Sequence, residues 1–179
     1  MIRFLFAVTI ILFMLSCSQN QSSSGAKADT TQMAKADTTS YAYKAGYSSS
    51  FDIGKPEGAK TVLEIWKAYE NNKLADTKNL WADTVTLQLE NYTFHGSPDS
   101  AIAGGTADRS KFTSVIDSVD AWLPMHANDK NEDWVAVWAR EFTVDKKGKK
   151  DTVDLHEVWL LKNGKARYMS QYRAHRKSW

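Results

Sequence analysis

Hydrophobic and polar positions alternate most regularly towards the C-terminus. There Trp134-Val135-Ala136-Val137-Trp138-Ala139-Arg140-Glu141-Phe142-Thr143-Val144 runs into the polar Asp145-Lys146-Lys147-Gly148-Lys149-Lys150. Asp151 to Leu161 and Ala166 to Arg173 repeat the pattern on either side of Lys162-Asn163-Gly164-Lys165. β-Branched and aromatic runs broken by Gly-containing polar turns predict an antiparallel meander. Asn163-Gly164 marks a tight hairpin, because both central residues of a type I′ turn take positive φ. Parity puts Trp134, Ala136, Trp138, Arg140 and Phe142 on one face of the first strand, and Val135, Val137, Ala139, Glu141 and Thr143 on the other. The pattern leaves open which face is concave.

Upstream the period changes. Lys55-Pro56-Glu57 opens a helix, with proline suited to a first turn and the acid to the N-terminal dipole. Val62, Ile65, Trp66 and Tyr69 recur at helical spacing, and Asn71-Asn72 ends the run. A second short helix carries Leu74, Lys78 and Trp81 on one side. Thr84 to Glu90 then alternates as a half-buried strand with Val85, Leu87 and Leu89 inward, and Tyr92 to His95 is a brief partner. Gly96 to Gly105 reads as a loop, with Gly104-Gly105 a hinge at a cavity rim. Arg109 to about Asp117 reads as a helix with Phe112, Val115 and Ile116 as its stripe. Val119 to Ala127 reads as a strand that Pro124 places near an edge or a bulge.

Of the 179 residues, the first fifty are poor in large aliphatics outside the extreme N-terminus, which leaves room for one domain of about 120 to 130 residues. Residues 17–54 form a Ser/Thr/Ala-rich tether that buries too little apolar surface to offset its ordering entropy, so disorder is expected. Ala26-Lys27-Ala28-Asp29-Thr30-Thr31 recurs within it as Ala34 to Thr39, too short a unit for a repeat fold. The domain occupies 55–175, and 176–179 is a tail.

Residues 1–16 combine a basic start with the apolar run Phe4 to Leu15, too short to span a bilayer comfortably and suited to a secretory signal. Met14-Leu15-Ser16-Cys17 resembles the lipobox of bacterial lipoproteins, with Met in place of the usual Leu at its first position. The resemblance implies cleavage before Cys17, lipidation of that residue and attachment to a bilayer. The address it implies is the bacterial cell envelope, with the domain on the periplasmic side. Cys17 is the single cysteine, so the chain cannot form an internal disulfide.

Trp66-Lys67-Ala68-Tyr69-Glu70-Asn71-Asn72-Lys73-Leu74-Ala75-Asp76, followed by Leu80-Trp81-Ala82-Asp83, resembles the opening of the nuclear transport factor 2-like superfamily. His156 to Lys165 is similar to the closing strand and Gly-Lys turn of its SnoaL-like branch. The resemblance runs from about Gly58 to Tyr172 and implies an α+β fold, a cone-shaped curved antiparallel sheet wrapped around a long N-terminal helix plus two shorter ones. It implies a pocket walled by Trp66, Trp81, Leu87, Leu89, Phe94, Trp122 and Trp138. Ketosteroid-isomerase chemistry on this fold needs a carboxylate base, a tyrosine and a protonated acid. The matching positions here hold about Leu89, Ile65 and about His156, so that chemistry is disfavoured.

Formal net charge is +2 with both signs interspersed, which provides no basic stripe for nucleic acid. Seven Trp, seven Tyr and seven Phe suit both a packed core and a lined cavity. His156 lies mid-strand among apolar neighbours, where an imidazole can bind or shuttle a proton, and Glu141 and Tyr172 are its candidate catalytic companions. No metal or cofactor is expected: Leu160 stands where a zinc helix would place its second histidine, and no Gly-rich phosphate loop follows a strand. Three functions stay open: an envelope module binding a small, largely apolar ligand, an isomerase, cyclase or dehydratase using His156 with Glu141 or Tyr172, and a scaffold that forms a homodimer through its sheet face. The lipobox makes one outcome specific. Cys17→Ala is expected to abolish lipid labelling and shift the protein out of the membrane pellet, as read by metabolic labelling and fractionation.

Overall fold

A computed structural model describes residues 40–175; the signal segment, Cys17 and the tail 176–179 lie outside the described residues. The elements are β1 (Phe51–Ile53), α1 (Pro56–Glu70), a 3₁₀ helix (Leu74–Leu80), β2 (Trp81–Leu89), β3 (Tyr92–Gly96), α2 (Pro98–Arg109), β4 (Phe112–Ala127), β5 (Glu132–Asp145), β6 (Lys150–Lys162) and β7 (Lys165–His175). One seven-stranded sheet runs β1-β4-β5-β6-β7-β2-β3. All its pairs are antiparallel except β2–β7, which is parallel and shifts register between Trp81 and Thr86. The curved sheet stays unclosed around the helices, the α+β cone that the resemblance implies.

The core forms where α1 lies on the inner sheet face. Val62, Val85, Val135 and Val137 are the largest side chains removed almost completely from water, each contributing about 1.5–3 kcal/mol. Gly58 allows the close approach: a Cβ there would stand 2.7 Å from Leu161 Cδ1 and 3.5 Å from Val135 Cγ2. The buried face of β5 is therefore Val135, Val137, Ala139, Glu141 and Thr143, and that of β6 is Val153, Leu155, Glu157, Trp159 and Leu161. Asn163 (φ 53°) and Gly164 (φ 74°) make the predicted β6–β7 turn. At the β4–β5 turn the incoming chain is clasped. The Tyr47 hydroxyl donates to Glu132 and accepts from Trp134 Nε1 at 3.3 Å, Ser48 Oγ donates to Asp129 at 2.5 Å, and Asn128 N donates to Ser50 O at 2.9 Å.

Three expectations change. Phe51–Ile53, assigned above to the tether, pairs with Met125–Ala127 as β1. The segment read as loop is α2: Ser97 caps it by accepting from Ser100 N at 3.2 Å, and Pro98 fills its first turn. Gly104 and Gly105 lie inside this helix and form no hinge; a Cβ on Gly105 would stand 2.7 Å from Leu74 Cδ1. The segment read as a helix is the start of β4, where Val115 is 4% exposed and Ile116 is 57% exposed on opposite faces. Phe112, Val115 and Ile116 share a spacing with helices, but β-branched side chains and pairing with β5 decide the state. Pro124 does sit near a bulge, between Val119 and Ala121, on a strand whose far side is covered only by β1.

Helical α2 predicts opposite signs for two substitutions. Ser97→Ala should destabilise by about 1 kcal/mol through loss of the cap. Gly104→Ala, with no atom within 4 Å of the new Cβ, should stabilise by about 0.5–1 kcal/mol. Urea denaturation midpoints check both.

Candidate functional site

Between the helices and the inner sheet face lies a cavity of about 340 Å³. One wall is apolar: Leu87 and Leu89 alternate inward from β2, Phe94 comes from β3 and Ile102 from α2, while Trp66, Trp81 and Trp159 back the space. The opposite end is polar, because inner-facing polar side chains come from four strands. Asp117 on β4 stands opposite Glu141 on β5; Glu157 on β6 stands opposite Gln171 on β7, and Arg173 follows two residues later. From the helices, Tyr69 donates to Asp108 Oδ2 at 2.9 Å, and burial followed by the charge of Asp108 raises the Tyr69 pKa.

Glu157 is 5% exposed. It accepts from Gln171 Nε2 at 2.7 Å and from Trp159 Nε1 at 2.8 Å. Burial nevertheless lifts its pKa to about 7, against the lowering effect of those donors. The Trp66 indole, which is directed towards it from just outside hydrogen-bond geometry, lowers it as well. Asp117 also rises to about 7, first through burial and then through the charges of Glu141, Glu70 and Glu157, with Lys67 opposing. Glu141 is raised by burial, while Arg173, whose Nη2 donates to Glu141 Oε1 at 3.1 Å, pulls it down. Among the described residues, four buried side-chain polar atoms lack a partner, and three of them belong to cavity residues: Trp66 Nε1, Asp117 Oδ1 and Arg173 Nε. Buried polar groups are normally satisfied, so an unsatisfied set around one cavity is hydrogen-bonding capacity left for a ligand.

The expected pocket residues divide. Trp66, Trp81, Leu87, Leu89, Phe94 and Glu141 line the cavity. Trp138, His156 and Tyr172 do not: they are cross-strand partners in one row on the outer face, with Trp138 stacked on His156 at 4.9 Å and His156 6.3 Å from Tyr172. A β-sheet lies between His156 and Glu141, so the expected catalytic trio is not assembled. Trp122 shares the inner parity of Val137 through the β4 bulge, yet it is 53% exposed and lies outside the cavity. The polar residues that do converge, Asp117, Glu157, Gln171, Arg173, Tyr69 and Asp108, were not singled out by the sequence. Glu157 and Arg173 each adjoin a residue that was, so knowing the buried parity would have found them. Among the described residues no group of three or more His, Cys, Asp or Glu is arranged to hold a metal ion.

No protein-family model matches the chain, and no curated protein matches it. Solved structures do resemble it. A protein of Jannaschia sp. CCS1 described as a SnoaL-like polyketide cyclase superposes with a TM-score of 0.56 at 16% identity, covering 66% of this chain and 86% of that one. A nuclear transport factor 2-like protein of unknown function from Burkholderia pseudomallei gives 0.54 at 18% identity, over 65% and 89%. An epoxide hydrolase of M. tuberculosis, itself likened to LEH, gives 0.55 at 9% identity, over 66% and 83%. These likenesses establish the fold, the nuclear transport factor 2-like cone, and leave the chemistry to the residues of this chain.

The raised acids set a pH dependence. Asp117 and Glu157 titrate at about 7 in the folded state but at about 4 when unfolded, so the folded state binds protons that the unfolded state releases. Their contribution to stability is full below pH ~4 and is lost as pH rises through ~7. Urea denaturation should give a lower unfolding free energy at pH 8 than at pH 5. Glu157→Gln should flatten that decline and exceed the parent's stability at pH 8.

Proposed function

We propose that this domain binds a small molecule with a largely apolar body and a polar end, held at a bacterial cell envelope by lipid on Cys17. The observation that carries the reading is the pairing of an apolar wall, Leu87, Leu89, Phe94 and Ile102, with an end where three buried polar atoms lack partners. Ligand sites combine an apolar lining with a few convergent polar groups in this way. The tryptophans back the cavity and do not plug it, which disfavours a self-filled scaffold. The envelope address rests on Met14-Leu15-Ser16-Cys17 and the apolar run before it. Homodimerisation, if it occurs, has a surface available on the outer face, where Ile116, Trp138, Phe142 and Tyr172 are exposed, and such contact leaves the pocket open.

A second reading is acid–base catalysis on the bound molecule. It is favoured by Asp117, whose pKa of about 7 and unpartnered Oδ1 suit proton transfer at neutral pH. Such an enzyme works with Asp117 and Glu157 and not with His156 and Tyr172, which face away from the cavity.

Native mass spectrometry of the full chain, purified in mild detergent from its own host, tests the binding reading. The expected result is a small-molecule adduct that leaves on denaturation and is missing from Leu89→Trp, which fills the apolar wall. A bare mass for the unmodified protein overturns it.

A further inference from the structure

The charge of the cavity lining is one-sided. Glu90, Asp108, Asp117, Glu141 and Glu157 contribute carboxyl groups, Arg173 is the one cationic side chain among the lining residues, and neither Lys nor His is among them. Arg173 is already bonded to Glu141 at 3.1 Å, and Asp108 is paired with Lys111 at 2.8 Å and accepts from Tyr69. Lys67 faces Asp117 from α1, but its ammonium is bonded to Glu70 at 2.6 Å. Glu157 accepts from the neutral donors Gln171 and Trp159 with the Trp66 indole also directed towards it, and Asp117 Oδ1 is buried without any donor. The groups facing these two acids are thus Glu141 from β5, Glu70 and Lys67 from α1, and each other. Two inner carboxyl groups have no cation of their own.

Acidic groups alone would not make a site. Trp66 provides an independent sign of one: it is 8% exposed, lines the same space, and its indole N–H, directed towards Glu157, stops short of hydrogen-bond geometry and is left unsatisfied.

We infer that the molecule taken by this cavity is a lipophilic amine, its ammonium seated against Asp117 and Glu157 and its apolar body along Leu89 and Phe94. The inference rests on the cavity being a ligand site and names its ligand class. An ammonium is a hydrogen-bond donor for the unpartnered Asp117 Oδ1 and a counter-charge for an acidic cluster that now holds itself together by retaining protons. The unpartnered donors, Trp66 Nε1 and Arg173 Nε, are left for an oxygen of the same molecule. An anion meets repulsion from the unpaired Asp117 and Glu157, and a neutral molecule leaves their charge unrelieved.

Three probes of matched shape test this: 2-phenylethylamine, 2-phenylethanol and 3-phenylpropanoate, titrated calorimetrically into the full chain in detergent at pH 7.5. The amine is expected to bind at least about tenfold more tightly than the alcohol, a difference of about 1.4 kcal/mol. The carboxylate is expected to bind no more tightly than the alcohol. Binding should release protons, seen as a heat that changes with the ionisation enthalpy of the buffer. Asp117→Asn should weaken the amine by about tenfold or more while leaving the alcohol within about twofold, and Glu157→Gln provides the same comparison if Asp117→Asn fails to fold. Equal binding of alcohol or carboxylate overturns the amine inference and leaves the pocket a ligand site. Amine binding that persists in Leu89→Trp places it outside the cavity and overturns the inference. If no probe binds, the inference also falls, while the pocket as a ligand site is then judged by the native adduct alone.

Discussion

The rest of the molecule depends on how closely α1 approaches β5 and β6. The missing side chain at Gly58 lets the helix settle against Val135 and Leu161, and the fully buried Val62 joins Val135 and Val137 in the core. A strand has two faces and no intermediate position, so this one contact fixes the orientation of every side chain along four strands. It puts Glu141 and Glu157 under the helices and turns His156 and Tyr172 outward. Packing of small β-branched residues thereby determines where the ionisable groups meet, although none of those groups stabilises the packing.

The acids that meet there reduce stability. A buried carboxyl with one or two neutral donors keeps its proton to near neutrality, and the Arg173–Glu141 pair relieves only one of the three strand acids. Apolar residues at Asp117 or Glu157 would fill the same space with less strain on the folded state. Local rules broken at one place, inside a fold that obeys them elsewhere, are characteristic of a working site. The cone is consistent in its turns, caps and core, and inconsistent at this polar end.

Much of the fold was legible in the residues. Asn163-Gly164, the alternation of β5 and the helical stripe Val62, Ile65, Trp66 and Tyr69 each encode their element locally. What was not legible needed partners. Both faces of β5 carry enough apolar residues to be buried, so parity alone left the inner face open; the small set is inner because a helix fits against it. Phe112, Val115 and Ile116 match helix spacing and strand composition equally, and only pairing with β5 separates them. Gly104-Gly105 looked like a hinge because a glycine needed for helix contact with Leu74 cannot be told from one needed for bending. The cavity wall from Trp66 to Phe94 was foreseen; its polar end was not, since that requires the parity of three strands at once.

The clasp at Tyr47 and Ser48 has a mechanical meaning. Under the proposed attachment through Cys17, a pull along the tether would enter the folded body at Glu132, Trp134 and Asp129, and then pass through the short β1–β4 pairing. None of these residues lines the ligand cavity, whose walls come from α1, α2, the inner rows and the β2–β3 hairpin. Such a load would be carried along one margin of the sheet, with the cavity geometry insulated from drag or thermal tugging at the attachment point.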